Sequence, residues 1–151
     1  LDRLGLEADI VCADAGDWKP SERADAILVD APCSSTGTIR RHPDIARLKM
    51  PEDIGKLSAL QGRLLAAAVD MVKPGGLIAY CSCSLQPEEG PGQIAALLDS
   101  NAPVSRLVVQ PGDAGEIKEL ISADGNLRSL PCHLSELGGM GGFFAARLKR
   151  D

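Results

Sequence analysis

The sequence predicts an α/β fold built on a mostly parallel, doubly wound sheet. Three observations predict it: short Val- and Ile-rich apolar runs alternate with segments of helical periodicity, acidic or thiol residues stand at the carboxyl ends of those runs, and glycines and prolines gather between the periodic segments.

Along the chain, residues 8–13 (ADIVCA) and 26–30 (AILVD) read as buried parallel strands, each followed by small or turn-forming residues. Asp14 and Asp30 close them, and open α/β sheets bind ligands at that edge. From Ala31 to Pro51 no periodicity is sustained, which predicts a long loop, a feature usually retained for function. Pro51 can open a helix because its missing N–H would be unpaired there, and Glu52 and Asp53 complement the positive end of the helix dipole. Ile54, Leu57, Leu64, Leu65, Ala68, Met71 and Val72 keep one face apolar, and Lys73-Pro74-Gly75-Gly76 ends the run. The segment 77–82 (LIAYCS) predicts a strand, and 93–100 a second amphipathic helix after a Pro87-to-Pro91 lead-in that delays its first turn. Residues 104–109 and 142–148 predict two more strands joined by a Gly- and Pro-rich connection. A last strand reached without another helix implies an antiparallel ending.

The 151 residues suit one domain, and an average domain of this length buries roughly 68–70% of its unfolded surface. A hydrophobic fraction of 44% supports a folded chain. No stretch approaches the ~20 apolar residues of a membrane span and no signal segment opens the chain, so a soluble, cytoplasmic protein is expected. A net charge of -5 argues against nucleic-acid binding by the chain as a whole. Its distribution argues otherwise, because Arg40, Arg41, Arg47 and Lys49 face a single carboxylate, Asp44, within the long loop. Five cysteines form an odd set without a secretory signal, so reduced thiols are expected.

Two segments concentrate the chemistry: Asp30-Ala31-Pro32-Cys33-Ser34-Ser35-Thr36-Gly37 and Tyr80-Cys81-Ser82-Cys83-Ser84. Each follows an expected strand and brings a thiol to the same sheet edge. Spacing alone leaves three readings: a metal site, a redox pair or thiol catalysis. Zinc sites pair their ligands as C-x₂₋₄-C, whereas one residue separates Cys81 from Cys83, so no metal is expected. A redox motif also prefers two intervening residues. Cys12 and Cys81 read as small core residues, and Cys132 with His133 as an exposed pair without a role.

The strings DAPCSSTGTIRRHPDI (30–45) and YCSCSLQPEEG (80–90) resemble the fourth and sixth motifs of the Sun/Fmu (Nop/Sun) family of RNA cytosine-5 methyltransferases. RRHPD and the closing GGFFAARL (141–148) resemble in particular its bacterial 16S ribosomal RNA enzymes. The resemblance covers nearly the whole chain. It implies a partial Rossmann-like class I methyltransferase fold: parallel strands ending in an antiparallel hairpin, helices on both faces, S-adenosylmethionine as cofactor and RNA as substrate. Carbon 5 of cytosine is a poor nucleophile, and a thiolate adding to carbon 6 makes it able to attack a methyl sulfonium. The resemblance assigns that thiol to Cys83 and enzyme release to Cys33, with no role for Cys81. Asp30, when protonated, would donate toward ring nitrogen 3. It also lies, with Pro32, where the methyl donor sits. Asp14 resembles the acidic residue that meets the adenine end. Cys83 is expected to be acidified by its surroundings. Arg40, Arg41 and His42 are candidates for RNA phosphates, against an alternative in which they brace the loop through salt bridges.

The family's Gly-rich cofactor loop does not occur in this sequence, so the chain is expected to be the carboxy-terminal part of the domain, with the first two strands absent, cofactor binding weak or absent, and the isolated fragment inactive. In the family's strand order, 3-2-1-4-5-7-6, residues 8–13 then lose their neighbours. That leaves 4-5-7-6 as a core and the opening segment disordered, docked beside strand four or paired with another molecule. A non-catalytic RNA-binding module and a thiol redox protein are the rival functions.

Overall fold

A computed structural model describes residues 2–151. Its sheet is assembled from the β-branched and aromatic runs. Strand β1 (Ala24–Asp30) pairs in parallel with β2 (Val72–Ser82), placing Ile27 beside Ile78 and Asp30 beside Cys81. Strand β5 (Phe143–Arg150) lies antiparallel on the other side of β2, with Tyr80 opposite Ala146 and Ser82 opposite Phe144. Two short strands, β3 (Val104–Arg106) and β4 (Leu127–Ser129), pair antiparallel with opposite ends of β5. The order β1-β2-β5-β3 is the expected 4-5-7-6 with its reversed last strand.

Helix α2 (Pro51–Met71) follows a short α1 (Ile45–Leu48), and α3 (Pro91–Asp99) follows a single 3-10 turn at Pro87–Glu89. Asp53 accepts the Met50 N–H at 3.0 Å, satisfying a donor at the start of α2. Leu65, Ala68 and Val69 of α2 and Ile94 and Leu97 of α3 share one core cluster with Ile78, Tyr80, Phe144, Ala146 and Leu148. The Tyr80 and Phe144 rings meet edge to face at 6.3 Å, a favoured aromatic geometry. Helices α2 and α3 pack into this cluster, and the Gly- and Pro-rich chain from 107 to 142 forms 3-10 turns and the short β4 rather than a long helix.

Four expectations change in detail. Residues 8–13 form no strand: β1 pairs only with β2, and a strand without a ladder partner has no hydrogen bonds to hold it. Ile10 is 86% exposed as a result, and Cys12 is exposed rather than in the core. The opening segment instead docks beside β1 and α2, through Asp14 on Arg63 and through Ala15 and Trp18 at the β1 face. Lys73-Pro74-Gly75-Gly76 ends the helix as expected but is absorbed into β2 as a bulge, Ala24 pairing with Val72 and Ala26 with Leu77. The strand expected over 104–109 stops at Arg106, and β4 was not anticipated, since three residues carry no periodicity.

Candidate active site

Parallel pairing of β1 and β2 brings two loops together. The Ala31 N–H donates to Cys81 O at 3.1 Å and the Gly37 N–H to Cys83 O at 2.9 Å, so the chain after β1 runs alongside the chain after β2. Cys33 and Cys83, fifty positions apart, consequently face each other with their Sγ atoms 3.3 Å apart, both half-buried. Ser35, held in the left-handed region at φ 58°, brings its hydroxyl to 3.5 Å from Cys83 Sγ and 3.9 Å from Cys33 Sγ. Non-glycine residues rarely adopt that conformation, and it concentrates at functional loops.

Burial pushes the Cys83 thiol above its ordinary value, the Ser35 hydrogen bond pulls it down, and neighbouring Cys33 pushes it up again. The net direction is upward, which corrects the expectation of an acidified thiol. The reason is that among the described residues no cation pairs with Cys83, while removal from water penalises the thiolate. Cys81 is buried as expected, and burial followed by the nearby Asp30 carboxyl raises it to about 11. Its Sγ lies 3.6 Å from Asp30 Oδ1, joining the ends of the two strands.

Asp30 and Pro32 are exposed on either side of buried Ala31. Asp30 lines an apolar cleft of about 250 Å³ with Ala15, Trp18, Ile27, Leu28, Leu64 and Met71. Asp14 precedes Ala15 of that lining; Arg63 Nη2 approaches its Oδ2 at 2.9 Å and the Gly16 N–H donates to its Oδ1 at 2.9 Å. The Arg63 hydrogen bond holds the Asp14 carboxyl below the usual carboxylate range. Asp14 is thus engaged by protein groups at both oxygens.

A second cleft, of about 530 Å³, is lined by Gly37, Thr38, Arg40, Arg41 and Gly141. Arg40 donates to the Gly138 carbonyl, bracing the long loop against the segment before β5. The salt bridges of the loop-bracing alternative are not formed by Arg40 or Arg41 among the described residues; Arg40 braces the loop through a carbonyl instead. Arg41 and His42 are exposed. At the far end of the 3-10 region, Cys132 is exposed, while His133 is half-buried and accepts the Leu130 N–H at Nδ1. Among the described residues no three His, Cys, Asp or Glu side chains gather as for a metal ion, and no helix is long and apolar enough to cross a membrane.

Reasoning from sequence missed the residues that hold the two loops. Glu89, fully buried, accepts the Ser34 N–H at 2.9 Å and the Gln61 Nε2–H at 3.1 Å, and Gln61 also donates to Pro32 O at 2.8 Å. Arg128 donates to Leu85 O at 2.8 Å and sits 6.0 Å above the Phe144 ring. Glu89 lies inside the 80–90 string, but a carboxylate in the lead-in to a helix ordinarily reads as a dipole complement.

Residues 1–149 match the family described as 16S rRNA methyltransferase RsmB/F. Ribosomal RNA small subunit methyltransferase B of Sodalis glossinidius is 41% identical over 99% of this chain and 32% of its own length. The Pseudomonas syringae protein of the same name is 40% identical over 98% of the chain and 33% of its length. The chain thus spans about a third of these relatives. Among solved structures, NSun6 from Pyrococcus horikoshii with SFG superposes at a TM-score of 0.75, with 25% identity over 99% of this chain and 36% of that one. A methyltransferase homologue from the same organism gives 0.63, with 31% identity over 86% of this chain and 40% of that one. A match over all but the last two residues, two relatives at or above 40% identity and a shared sheet leave one assignment: the chain belongs to the RsmB/F family of 16S rRNA methyltransferases.

Proposed function

We propose that this chain supplies the thiol-bearing part of an S-adenosylmethionine-dependent enzyme that methylates carbon 5 of a cytosine in small-subunit (16S) ribosomal RNA through a covalent cysteine adduct. The observation that carries the reading is the 3.3 Å approach of two half-exposed thiols from separate strand ends. Family membership supports the RNA substrate.

In this reading Cys83 sulfur bonds to carbon 6 and ring electron density moves to carbon 5, which takes the methyl group. The carbon 5 proton then passes to a base, solvent water or the adjoining Cys33 sulfur, the C5–H electron pair restores the ring double bond, and the S–C6 bond breaks to return the thiolate. Cys33, beside that sulfur, assists the release. Asp30 faces the ring, where a donor toward nitrogen 3 stabilises developing negative charge.

S-adenosylmethionine would supply an electrophilic methyl carbon, and a relative solved with its analogue SFG supports its use. The residues present fit one end of it: the cleft lined by Trp18 and Leu28, with Asp30 in its lining, suits an apolar surface. Asp14, already held by Arg63, would have to exchange that partner to take part.

The cleft of Arg40 and Arg41 is also lined by Gly37, whose amide is bonded to Cys83 O, so a basic cleft adjoins the thiol loops without a cation at either sulfur among the described residues. Replacing both arginines by Ala should flatten the salt dependence of RNA binding, its logarithmic slope falling by about 0.7 for each phosphate that is no longer neutralised; an unchanged slope would remove them from the interface. The activity itself is tested by incubating a full-length protein of the family that carries these residues with small-subunit ribosomal RNA and S-adenosylmethionine, then analysing nucleosides by mass spectrometry. 5-Methylcytidine that disappears with Cys83→Ser is expected, whereas a methyl group on nitrogen or ribose would overturn the reading. The sulfur approach also suits a thiol redox couple, which oxidant turnover without any methylated nucleoside would favour.

A further inference from the structure

Between the two thiol loops runs a line of hydroxyls whose hydrogen bonds have a direction. Leu85 N–H donates to Thr36 Oγ1 at 2.9 Å and Gln86 N–H to Ser84 Oγ at 2.9 Å, so each hydroxyl receives a backbone proton. Thr36 Oγ1 lies 3.2 Å from Ser84 Oγ, and Ser84 Oγ 3.0 Å from Ser34 Oγ. Ser34 Oγ then donates to Glu89 Oε2. Glu89, fully buried, also receives the Ser34 N–H and Gln61 Nε2–H at its other oxygen. A carboxylate only accepts, so Ser34 is committed to donate to Glu89 and can only accept from its hydroxyl neighbours, Ser84 Oγ at 3.0 Å and Thr36 Oγ1 at 3.5 Å. Chains aligned in this way strengthen one another in a dry interior.

We propose that Glu89 is a positioning residue: by accepting at both carboxylate oxygens it sets the direction of the hydroxyl chain that clamps the loop of Cys33 against the loop of Cys83. Ser34 adjoins Cys33 and Ser84 adjoins Cys83, so the clamp acts one residue from each sulfur. Its consequence for methyl transfer rests on the function proposed above; its effect on the thiol pair does not. A Gln at position 89 presents an N–H where the chain ends in an acceptor, forcing Ser34 to reverse or to lose its partner.

The test is the rate at which Cys33 and Cys83 close a disulfide under a diazene dicarboxamide oxidant, with exposed Cys12 and Cys132 replaced by Ser. The two thiols lose two protons and two electrons, the S–S bond forms, and the diazene becomes a hydrazine. Glu89→Gln should slow closure about tenfold or more, as expected for loss of a hydrogen bond to a charged group. Ser84→Ala, which leaves Glu89 bonded to Ser34 and Gln61, should slow it about threefold. Leu65→Ala weakens the core without touching the chain and should leave closure in the folded protein unchanged. Closure of both network variants at the parent rate would overturn the proposal; should Glu89→Gln not fold, Ser84→Ala at the parent rate would do so alone. Because closure is read without RNA or methyl donor, it stands apart from failure of the proposed activity.

Discussion

The end of the sheet that carries the thiols and the opening segment of the chain resemble each other in sequence and differ in structure. Residues 8–13 and β1 are both short runs of Ile, Val and Ala closed by an aspartate. Only β1 has a ladder partner: its register with β2 carries Ile27 and Val29 onto the core and Asp30 to the site edge. Residues 8–13 have none, and Ile10 and Val11 face solvent at 86% and 58% exposure. An apolar run becomes a strand through the neighbour that satisfies its backbone, and a site inherits its precision from that pairing.

The largest expected effect lies on the thiol side. Phe144, 1% exposed, packs Tyr80 from beneath and Arg128 from above, so Phe144→Ala should lower unfolding free energy by about 3–5 kcal/mol in urea titration. A loss below about 1 kcal/mol would mean the cluster is looser than its burial implies. Gly37→Ala comes next. A Cβ there runs into the Gly142 carbonyl and comes 2.6 Å from Cys83 O, backbone atoms that move only with both strands. It should cost about 1–3 kcal/mol and slow Cys33–Cys83 disulfide closure, since overpacking separates the loops; unchanged closure would show that the loops approach independently of Gly37.

A smaller effect is chemical. Because burial raises Cys83, its thiolate fraction at neutral pH is below that of a free thiol, and it grows only as pH rises past the ordinary thiol range. The rate of Cys83 alkylation should therefore inflect at a higher pH than that of a thiol in a short peptide. An inflection below the peptide's would require a cation near the sulfur. The smallest effect is on the opening side: Ile10→Ala should change stability by less than about 0.5 kcal/mol, as for a surface position. A core-sized loss would show that residues 8–13 are packed and would erase the contrast.

Much of the thiol side was legible in the sequence. The strands around Ile27 and Ile78, the long helix with Leu65 and Ala68 inward and the reversed last strand followed from periodicity and from Gly and Pro placement. The segments that carry Cys33 and Cys83 stood out because each follows a strand that ends at the same edge, while the choice of Cys83 over Cys81 came from the family resemblance. The bulge at Lys73–Gly76 and the three-residue β4 leave no periodic trace, since they are defined by what the partner strand does. Glu89 was illegible for a related reason: its partners Ser34 and Gln61 lie 55 and 28 positions away, and nothing local separates a buried acceptor from a solvated helix-start carboxylate. The direction of the Cys83 shift was misjudged because sequence supplies nucleophilic context but not depth.

The most direct test of the proposed convergence of both sulfurs on one pyrimidine is to trap a full-length protein carrying these residues on ribosomal RNA containing 5-fluorocytosine, where fluorine blocks loss from carbon 5, and to map the cross-linked peptide by mass spectrometry. Attachment at Cys83, abolished by Cys83→Ser and retained with Cys33→Ser, is the predicted result. Attachment through Cys33, or no adduct from protein shown to methylate the unmodified RNA, would contradict it.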